Sequence, residues 1–291
     1  MATTASPVTE RGCCRVRMLL KNKLFLFGGG IILIMVLLVV FAPMLTQYEY
    51  GSIDLPNKQL PPSSQHIMGT DSYGRDVWCR IVYGGRISLT VAIGATALAL
   101  VCGTLLGTLS GYVRGTLDFV LGRIVDVMMA FPMLLLSLII GIAMGSSLQN
   151  MFFSIGIPVI PMFYRLARAT TMSVSERSFV TAARSMGSRR WRIILRHIIP
   201  NVLPHILVIM SSAMGGAILA ESSLGFLGYG IPLPTPSWGL IVNDGRNFMF
   251  TYPWTTAFSG AFIALTILGF NLLGDGLRDH MDPKIRTMSD G

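Results

Sequence analysis

Residues 179–201, FVTAARSMGSRRWRIILRHIIPN, are an arginine-rich stretch between two long apolar segments. Its first half carries apolar residues at the spacing i, i+3, i+4 and i+7, which is one face of a helix: Phe179, Ala182, Ala183 and Met186. Gly187 predicts a turn. The second half repeats the helical spacing from Trp191 to Ile198, and Pro200 is predicted to end it. The stretch therefore predicts two short helices joined at a glycine.

The composition outside this stretch is that of a membrane protein. The 291-residue chain is 52% hydrophobic and 13% charged, with a mean hydropathy of +0.61. A soluble domain has roughly twice that share of charged residues, about 25%. The net charge of +9 does not indicate a nucleic-acid partner, because the basic residues alternate with long apolar segments.

Six segments are apolar enough to cross a bilayer, which takes about 20 residues. They are residues 24–45, 87–112, 126–144, 151–166, 202–224 and 254–273. The fourth is short and contains Pro158 and Pro161, so we expect it to be broken. The fold class predicted is an all-α, polytopic membrane protein with six transmembrane helices, and the first segment is interpreted as a retained anchor.

The distribution of lysine and arginine predicts the orientation. With the N-terminus in the cytoplasm, 18 of the 23 basic residues fall in cytoplasmic segments and five in external ones. We therefore expect both termini to be cytoplasmic. The predicted organisation is a basic N-terminus, a first anchor, an external segment, a five-helix core with a cytoplasmic loop, and a cytoplasmic C-terminus. The corresponding ranges are 1–23, 24–45, 46–86, 87–275 with the loop at 169–201, and 276–291.

The arginine-rich loop resembles the "EAA" loop of the membrane subunits of bacterial ABC importers. The matching residues, in order, are Thr181-Ala182-Ala183, Gly187 and Ile199-Pro200. Thr181 stands where that family usually has glutamate. Four further stretches resemble the C-type permease subunits of dipeptide, oligopeptide and nickel importers, and with the loop they cover nearly the whole chain. These are residues 66–89, 123–132, 221–239 and 270–283.

The resemblance implies a permease subunit of a type I ABC importer in the bacterial inner membrane, forming half of a pathway for di- or oligopeptides. It also implies a homologous B-type permease as heterodimer partner, two ATPase subunits that bind ATP and Mg, and an external solute-binding protein. The chain itself would hold no cofactor, and membrane lipid would surround it. The residues expected to contact an ATPase are Phe179, Thr181, Ala182, Ala183, Met186 and Gly187. The alternative cargo is nickel or a metal chelate, carried by an importer of the same family. The alternative class of protein is a secondary transporter.

Three residues in the fifth segment are candidates for the translocation pathway. Glu221 is an ionisable residue within a membrane segment, and such residues normally face protein or water. It either borders the transport cavity or makes an interhelical hydrogen bond. Gly215 and Gly216 either pack helices closely or provide a hinge near the pathway.

No catalytic or metal site is expected. The chain has no P-loop, no H-E-x-x-H and no G-x-S-x-G motif. It is therefore predicted to be a non-catalytic subunit. His66, Asp71, Arg75 and Asp76 cluster in the predicted external segment, but one histidine with scattered carboxylates is a poor transition-metal site. We expect ion pairs there, with turns at Gly69 and Gly74.

Overall fold

The computed structural model describes residues 22–281, and the regular structure of these residues is helical apart from one isolated β-bridge. Cys13, Cys14, most of the predicted basic N-terminus and the last ten residues lie outside the described part. The α-helices are α1 (Lys23–Val40), α2 (Ala42–Leu45), α3 (Val77–Val113), α4 (Gly115–Ala130), α5 (Met133–Met144), α6 (Leu148–Ser175), α7 (Ser178–Ser185), α8 (Arg190–Ile193), α9 (Ile199–Phe226), α10 (Trp238–Gly245) and α11 (Trp254–Met281). A π turn, Ile194–Ile198, joins α8 to α9.

Five described helices are long and apolar enough to span a bilayer, and α4 with α5 supplies a sixth span if the bent pair counts as one. This confirms the prediction of an all-helical polytopic membrane protein. The boundaries differ from those predicted. Helix α3 begins at Val77, inside the range 46–86 assigned to the external segment. The range 169–201 assigned to the loop includes the end of α6 and the start of the long helix that contains α9.

The third predicted span is not one helix. Helices α4 and α5 meet at 96° across Phe131 and Pro132, so the segment predicted over 126–144 is a bent pair of helices rather than one continuous helix. Phe131 is extended, with φ −93° and ψ 137°. A residue that precedes proline is disfavoured in the α region because the proline ring collides with its backbone. The break therefore follows from Pro132.

The fourth span contains two prolines and yet is continuous. Helix α6 runs for 28 residues with Pro158 and Pro161 inside it, so the prediction of a short, broken segment is wrong. Its packing explains why it holds. A Cβ on Gly103 of α3 would lie 2.8 Å from the Ile160 carbonyl oxygen, and one on Gly111 would lie 2.7 Å from that of Arg168. Such close backbone contact between helices requires glycine and stabilises α6 against α3.

Pro200 does not end a helix either. The helical path continues from Arg190 to Phe226 over 37 residues. The N–H of Ile199 donates to the Ile194 carbonyl, five residues back, so the helix widens by a π turn immediately before the proline. Proline interrupts the regular i to i−4 ladder, and this wider turn lets the chain pass it without a break.

Two clusters of buried apolar residues lie at opposite ends of the bundle, and they are named outer and inner after the orientation predicted from the basic residues. The outer cluster joins α3, α9, α10 and α11 around the fully buried Trp238. The inner cluster joins α3, α6 and α9 around Phe163, and it includes Val180 and Ala183 of α7. Thus α7, although outside the spans, is part of the hydrophobic core.

Candidate functional site

Helix α7 ends in a glycine turn that fixes the shape of the arginine-rich loop. Gly187 has φ +75°, its N–H donates to the Arg184 carbonyl at 3.0 Å, and the Ser188 N–H donates to the Ala183 carbonyl at 3.1 Å. This is the paired hydrogen bonding of a Schellman motif, in which glycine supplies the left-handed residue. The turn predicted at Gly187 is confirmed.

The buried face of α7 is not the predicted one. Val180 is fully buried and Ala183 is only 3% exposed, and both pack into the inner cluster. Phe179, Ala182 and Met186 are exposed, with Met186 at 78%. Of the four residues assigned to one face, Ala183 therefore points inward and the other three point outward. Apolar residues occupy both sides of this short helix, so their spacing could not identify the inner side.

The segment after Gly187 shows the same division. Ile193, Ile194 and Ile198 are buried in the inner cluster, whereas Trp191 is 65% exposed and Leu195 is also exposed. The predicted face from Trp191 to Ile198 is thus split between the core and the surface.

The outward surface of α7 forms a small, largely apolar patch, which we call the docking face. It consists of Phe179, Thr181, Ala182 and Met186, all of them exposed. The Thr181 hydroxyl lies 3.5 Å from the Arg177 carbonyl of the preceding turn. Val180 and Ala183, on the opposite side, hold α7 against the inner cluster.

Glu221 lies inside the bundle. It is 0% exposed, the Ser222 hydroxyl lies 3.4 Å from its Oε2, and Ser88 and Ser237 lie beside it. Its Oε1 has no hydrogen-bond partner among the described residues. The carboxyl group therefore sits between α3, α9 and the start of α10, and it faces no open cavity in this conformation. Within the described part of the chain, its one hydrogen bond within 3.5 Å is to Ser222 of its own helix, whereas Ser88 and Ser237 belong to other segments, as the interhelical alternative expects of its neighbours.

Two hydroxyls near Glu221 also bind backbone amides at the start of α10. The Trp238 N–H donates to Ser88 Oγ at 3.2 Å, and the Leu240 N–H donates to Ser237 Oγ at 3.4 Å. The hydroxyl protons of both serines are then free to point elsewhere. Glu221 thus belongs to the polar contacts that seat the N-terminus of α10 against α3.

Gly215 and Gly216 lie on different sides of an unbroken helix. Gly215 is buried, and a Cβ there would lie 3.3 Å from the Asn271 side-chain oxygen on α11. Gly216 is exposed, with nothing within 4 Å of such a Cβ. Gly215 therefore serves helix packing, which was one of its two predicted roles. Helix α9 is continuous through this pair.

A buried ion cluster lies at the opposite end of the bundle from α7, and we call it the outer cluster of charges. Asp71 Oδ2 accepts from Arg75 Nε at 2.7 Å and from Arg80 Nη1 at 2.6 Å. Asp244 Oδ2 accepts from Arg75 Nη2 at 2.9 Å and from Arg80 Nη1 at 2.8 Å. Two carboxylates and two guanidinium groups balance one another, with Arg80 at 0% exposed. Sequence reasoning identified Asp71 and Arg75 but missed Arg80 and Asp244, which is 164 residues from Arg80.

The remaining residues of that segment are structural. His66 Nδ1 lies 2.9 Å from Asp76 Oδ2, and the Cys79 N–H donates to Asp76 Oδ1 at 2.7 Å, so Asp76 caps α3. Gly69 and Gly74 have φ +75° and +76° and form the turns that were predicted. Ion pairs are present as expected, although Arg75 pairs with Asp71 and Asp244 rather than with Asp76. Among residues 22–279, whose side chains the structure describes, no group of three or more potential metal ligands is found.

A second set of ion pairs fastens the bent pair to α6. Asp118 of α4 accepts two hydrogen bonds from Arg168, at 2.5 and 2.7 Å, and Asp126 accepts one from Arg165 at 2.9 Å. Arg123, three residues before Asp126 on the same helix, is farther from it at 3.8 Å. Two-point contact between arginine and carboxylate fixes orientation as well as distance. Helix α4 is therefore held on α6.

Two family models match this chain. Residues 103–287 match a family model described as a binding-protein-dependent transport system inner membrane component. Residues 15–62 match a model for the N-terminal TM domain of oligopeptide transport permease C. The chain belongs to this permease family.

As a member it is a multi-pass inner-membrane protein, a non-catalytic permease subunit of a peptide-type ABC transporter, and it carries no cofactor site of its own. Membership of a binding-protein-dependent family also implies an ATPase and a solute-binding protein as partners.

Curated relatives align with almost the whole permease. A dipeptide transport system permease protein of Alkalihalophilus pseudofirmus is 44% identical over 98% of this chain and 92% of its own length. A probable D,D-dipeptide transport system permease protein of Escherichia coli is 41% identical over 94% and 92%. An oligopeptide transport system permease protein of Bacillus subtilis is 36% identical over 91% and 87%.

A solved structure supports the fold. The inward-facing MetNI methionine ABC transporter has a chain that aligns with 69% of this permease and 96% of itself, with a TM-score of 0.57. At 15% sequence identity this likeness concerns the fold alone.

Proposed function

We propose that this permease forms half of a membrane pathway for short peptides, paired with a homologous B-type permease in a heterodimer. The observation that carries the proposal is the whole-length similarity to permeases named for dipeptides, D,D-dipeptides and oligopeptides, at 36–44% identity. A glutathione transport system permease protein of Pectobacterium atrosepticum, 39% identical over 93% of this chain, extends the same chemical class. Short peptides delivered by the external solute-binding protein are therefore the proposed cargo.

We propose further that α7 is the element through which two ATPase subunits drive transport. The exposed docking face, Phe179, Thr181, Ala182 and Met186, is small enough to enter a cleft, and Gly187 fixes its angle. Val180 and Ala183 anchor it to the inner cluster. ATP shifts the transporter between conformations only if it binds better to one of them. Closure of the ATPases would then move α7 and the inner ends of α6 and α9 together.

The orientation is proposed from charge. The loop with α7 carries the largest set of arginines, which favours the cytoplasmic side. Both termini are then cytoplasmic, and the outer cluster of charges faces the binding protein. Glu221, Gly215 and Gly216 stay candidates for the pathway only in other conformations of the cycle, because Glu221 is enclosed in this one.

Reconstitution of the purified complex tests the cargo and the partners together. We expect affinity purification of this permease in mild detergent to recover a second permease and ATPase subunits. In proteoliposomes with the binding protein outside and ATP inside, we expect a labelled dipeptide to accumulate, with ATP-free vesicles as the control. Accumulation of nickel or a metal chelate instead would overturn the peptide proposal. Recovery of the permease alone would overturn the proposed assembly.

A further inference from the structure

The inner end of the bundle carries a groove between the end of α3 and the arginine-rich loop. The groove has a volume of about 430 Å³ and is lined by Tyr112, Val113, Arg184, Ser188, Arg190 and Ile193. The Arg184 guanidinium lies over the Tyr112 ring, 5.5 Å from its centroid. Two guanidinium groups and a hydroxyl thus share one space with the apolar Val113 and Ile193. We call it the arginine groove.

The surroundings of the arginine groove carry uncompensated positive charge. Residues 177–220 contain six arginines and neither aspartate nor glutamate. Within residues 22–281, none of these six arginines lies within 4 Å of a carboxylate, whereas Arg114, at the same end of α3, pairs with Glu176 at 3.0 Å. A groove with two arginines and no acid in its lining is suited to an anion.

The position of the groove points to the source of that anion. Tyr112 and Val113 are the last two residues of α3, and the apolar segment predicted to cross the bilayer, 87–112, ends at the same point. The groove is therefore expected where the hydrocarbon layer gives way to headgroups. Beside it Trp191 and Leu195 are exposed, and tryptophan next to basic residues is typical of the membrane interface. The mixed lining suits a phosphodiester bound to arginine with glycerol and chain carbons against Val113 and Ile193.

Arg184 lies on a different side of α7 from most of the docking face. It comes two residues after Ala182 and two before Met186, and residues two apart on a helix point about 160° away from each other. Thr181, three residues before Arg184, is the docking-face residue nearest to it, at about 60° around the helix.

We propose that the arginine groove binds the phosphodiester headgroup of an anionic phospholipid. The lipid would bridge Arg184 and Arg190 and fasten the loop to the end of α3. The proposed orientation decides only which leaflet supplies it, namely the cytoplasmic one. An arginine near an anionic membrane surface contributes about 1 kcal/mol, or roughly fivefold in affinity, so two contribute about 30-fold.

Native mass spectrometry of the intact transporter complex tests this proposal. The complex would be delipidated in neutral detergent, incubated with phosphatidylglycerol or phosphatidylcholine, and scored for bound lipid. We expect wild type to retain phosphatidylglycerol over phosphatidylcholine, and Arg184→Gln/Arg190→Gln to lose about 30-fold of that affinity. Arg177→Gln is the matched control, because Arg177 is an exposed arginine of the same loop that does not line the groove. Arg184→Lys/Arg190→Lys keeps the charges and should retain most of the binding.

Several outcomes would overturn the proposal. Equal retention by wild type and the double glutamine variant would remove the site. A loss of about fivefold in Arg177→Gln, the same loss per arginine, would reduce the effect to general attraction. Displacement of the lipid by millimolar inorganic phosphate would identify a free-anion site instead. Loss of ATPase subunits with unchanged lipid retention would assign the two arginines to the ATPase contact. None of these results bears on the peptide proposal, since uptake is not measured.

Discussion

The outer cluster of charges and the arginine-rich loop differ in how their charges are balanced. At the outer end Asp71, Arg75, Arg80 and Asp244 are balanced two against two inside the chain. At the inner end the arginines of residues 177–220 have no carboxylate within their own segment, and apolar side chains such as Met186 and Trp191 remain exposed. The ion cluster at the outer end is satisfied within the chain, although apolar side chains such as Phe250, 93% exposed, are uncovered there too. The inner end combines exposed apolar side chains with arginines that have no carboxylate partner in their own segment.

Removal of Arg80 is expected to have the largest effect on stability. Arg80→Ala leaves Asp71 and Asp244 each without one of two arginine contacts in a buried site. Loss of one partner from a buried ion pair costs about 3–5 kcal/mol. We therefore expect a large drop in melting temperature by fluorescence-detected size exclusion in detergent. The exposed Arg246, next to α10, supplies the control Arg246→Ala, which should leave the melting temperature unchanged. Equal stability of the two variants would contradict the importance of the cluster.

Two adjacent alanines of α7 separate packing in the inner cluster from contact at the docking face. Ala183→Trp forces a large side chain into the inner cluster, where overpacking costs roughly 1–3 kcal/mol or more. Ala182→Trp places the same side chain on the exposed docking face. We expect Ala183→Trp to lower the melting temperature, and Ala182→Trp to keep it while abolishing ATP-driven uptake. If Ala182→Trp transported normally with full ATPase coupling, the docking face would be misplaced.

The turn at Gly187 should show a smaller effect. Gly187→Ala places a Cβ on a residue with φ +75°, which costs about 1 kcal/mol. A Cβ there would meet nothing within 4 Å, so strain in the backbone is the only expected penalty. Gly30→Ala is the control in a helical glycine with equally open space. We expect a modest decrease in melting temperature and in uptake for Gly187→Ala alone. Equal melting temperatures for the two variants would mean that the left-handed conformation at Gly187 does not favour glycine measurably.

Glu221 should show the smallest effect. Glu221→Gln preserves the shape of the side chain and its ability to bond with the hydroxyls of Ser88, Ser222 and Ser237. If the group serves only to seat α10, we expect peptide uptake and membrane levels close to those of wild type. Loss of uptake at normal membrane levels and normal basal ATPase activity would restore Glu221 to the translocation pathway.

The prolines show what the sequence could and could not predict. Pro132 breaks the chain as the local rule requires, because Phe131 is forced out of the helical region. Pro158 and Pro161 do not, since α6 is held along its length against the glycines of α3. Pro200 is passed through a π turn. Apolar length was sufficient to locate the spans, but whether a proline ends a helix depends on tertiary packing.

The faces of the loop had a similar limit. The turn at Gly187 could be predicted because glycine after a helix commonly adopts the left-handed conformation that ends it, which is a local property of the chain. The inward face of α7 could not, because Phe179, Val180, Ala182, Ala183 and Met186 are all apolar or small. The pairing of Arg80 with Asp244 was also beyond reach, since 164 residues separate them in sequence.

Photo-cross-linking from the inner end tests most directly whether this surface is left for partners. A photo-reactive residue at Met186, 78% exposed, would be compared with one at Ile193, 1% exposed, in membranes that contain the whole transporter. We expect an adduct between position 186 and an ATPase subunit, and only adducts within the permease from position 193. An ATPase adduct from position 193, or none from position 186, would contradict the assignment of this surface to an ATPase partner.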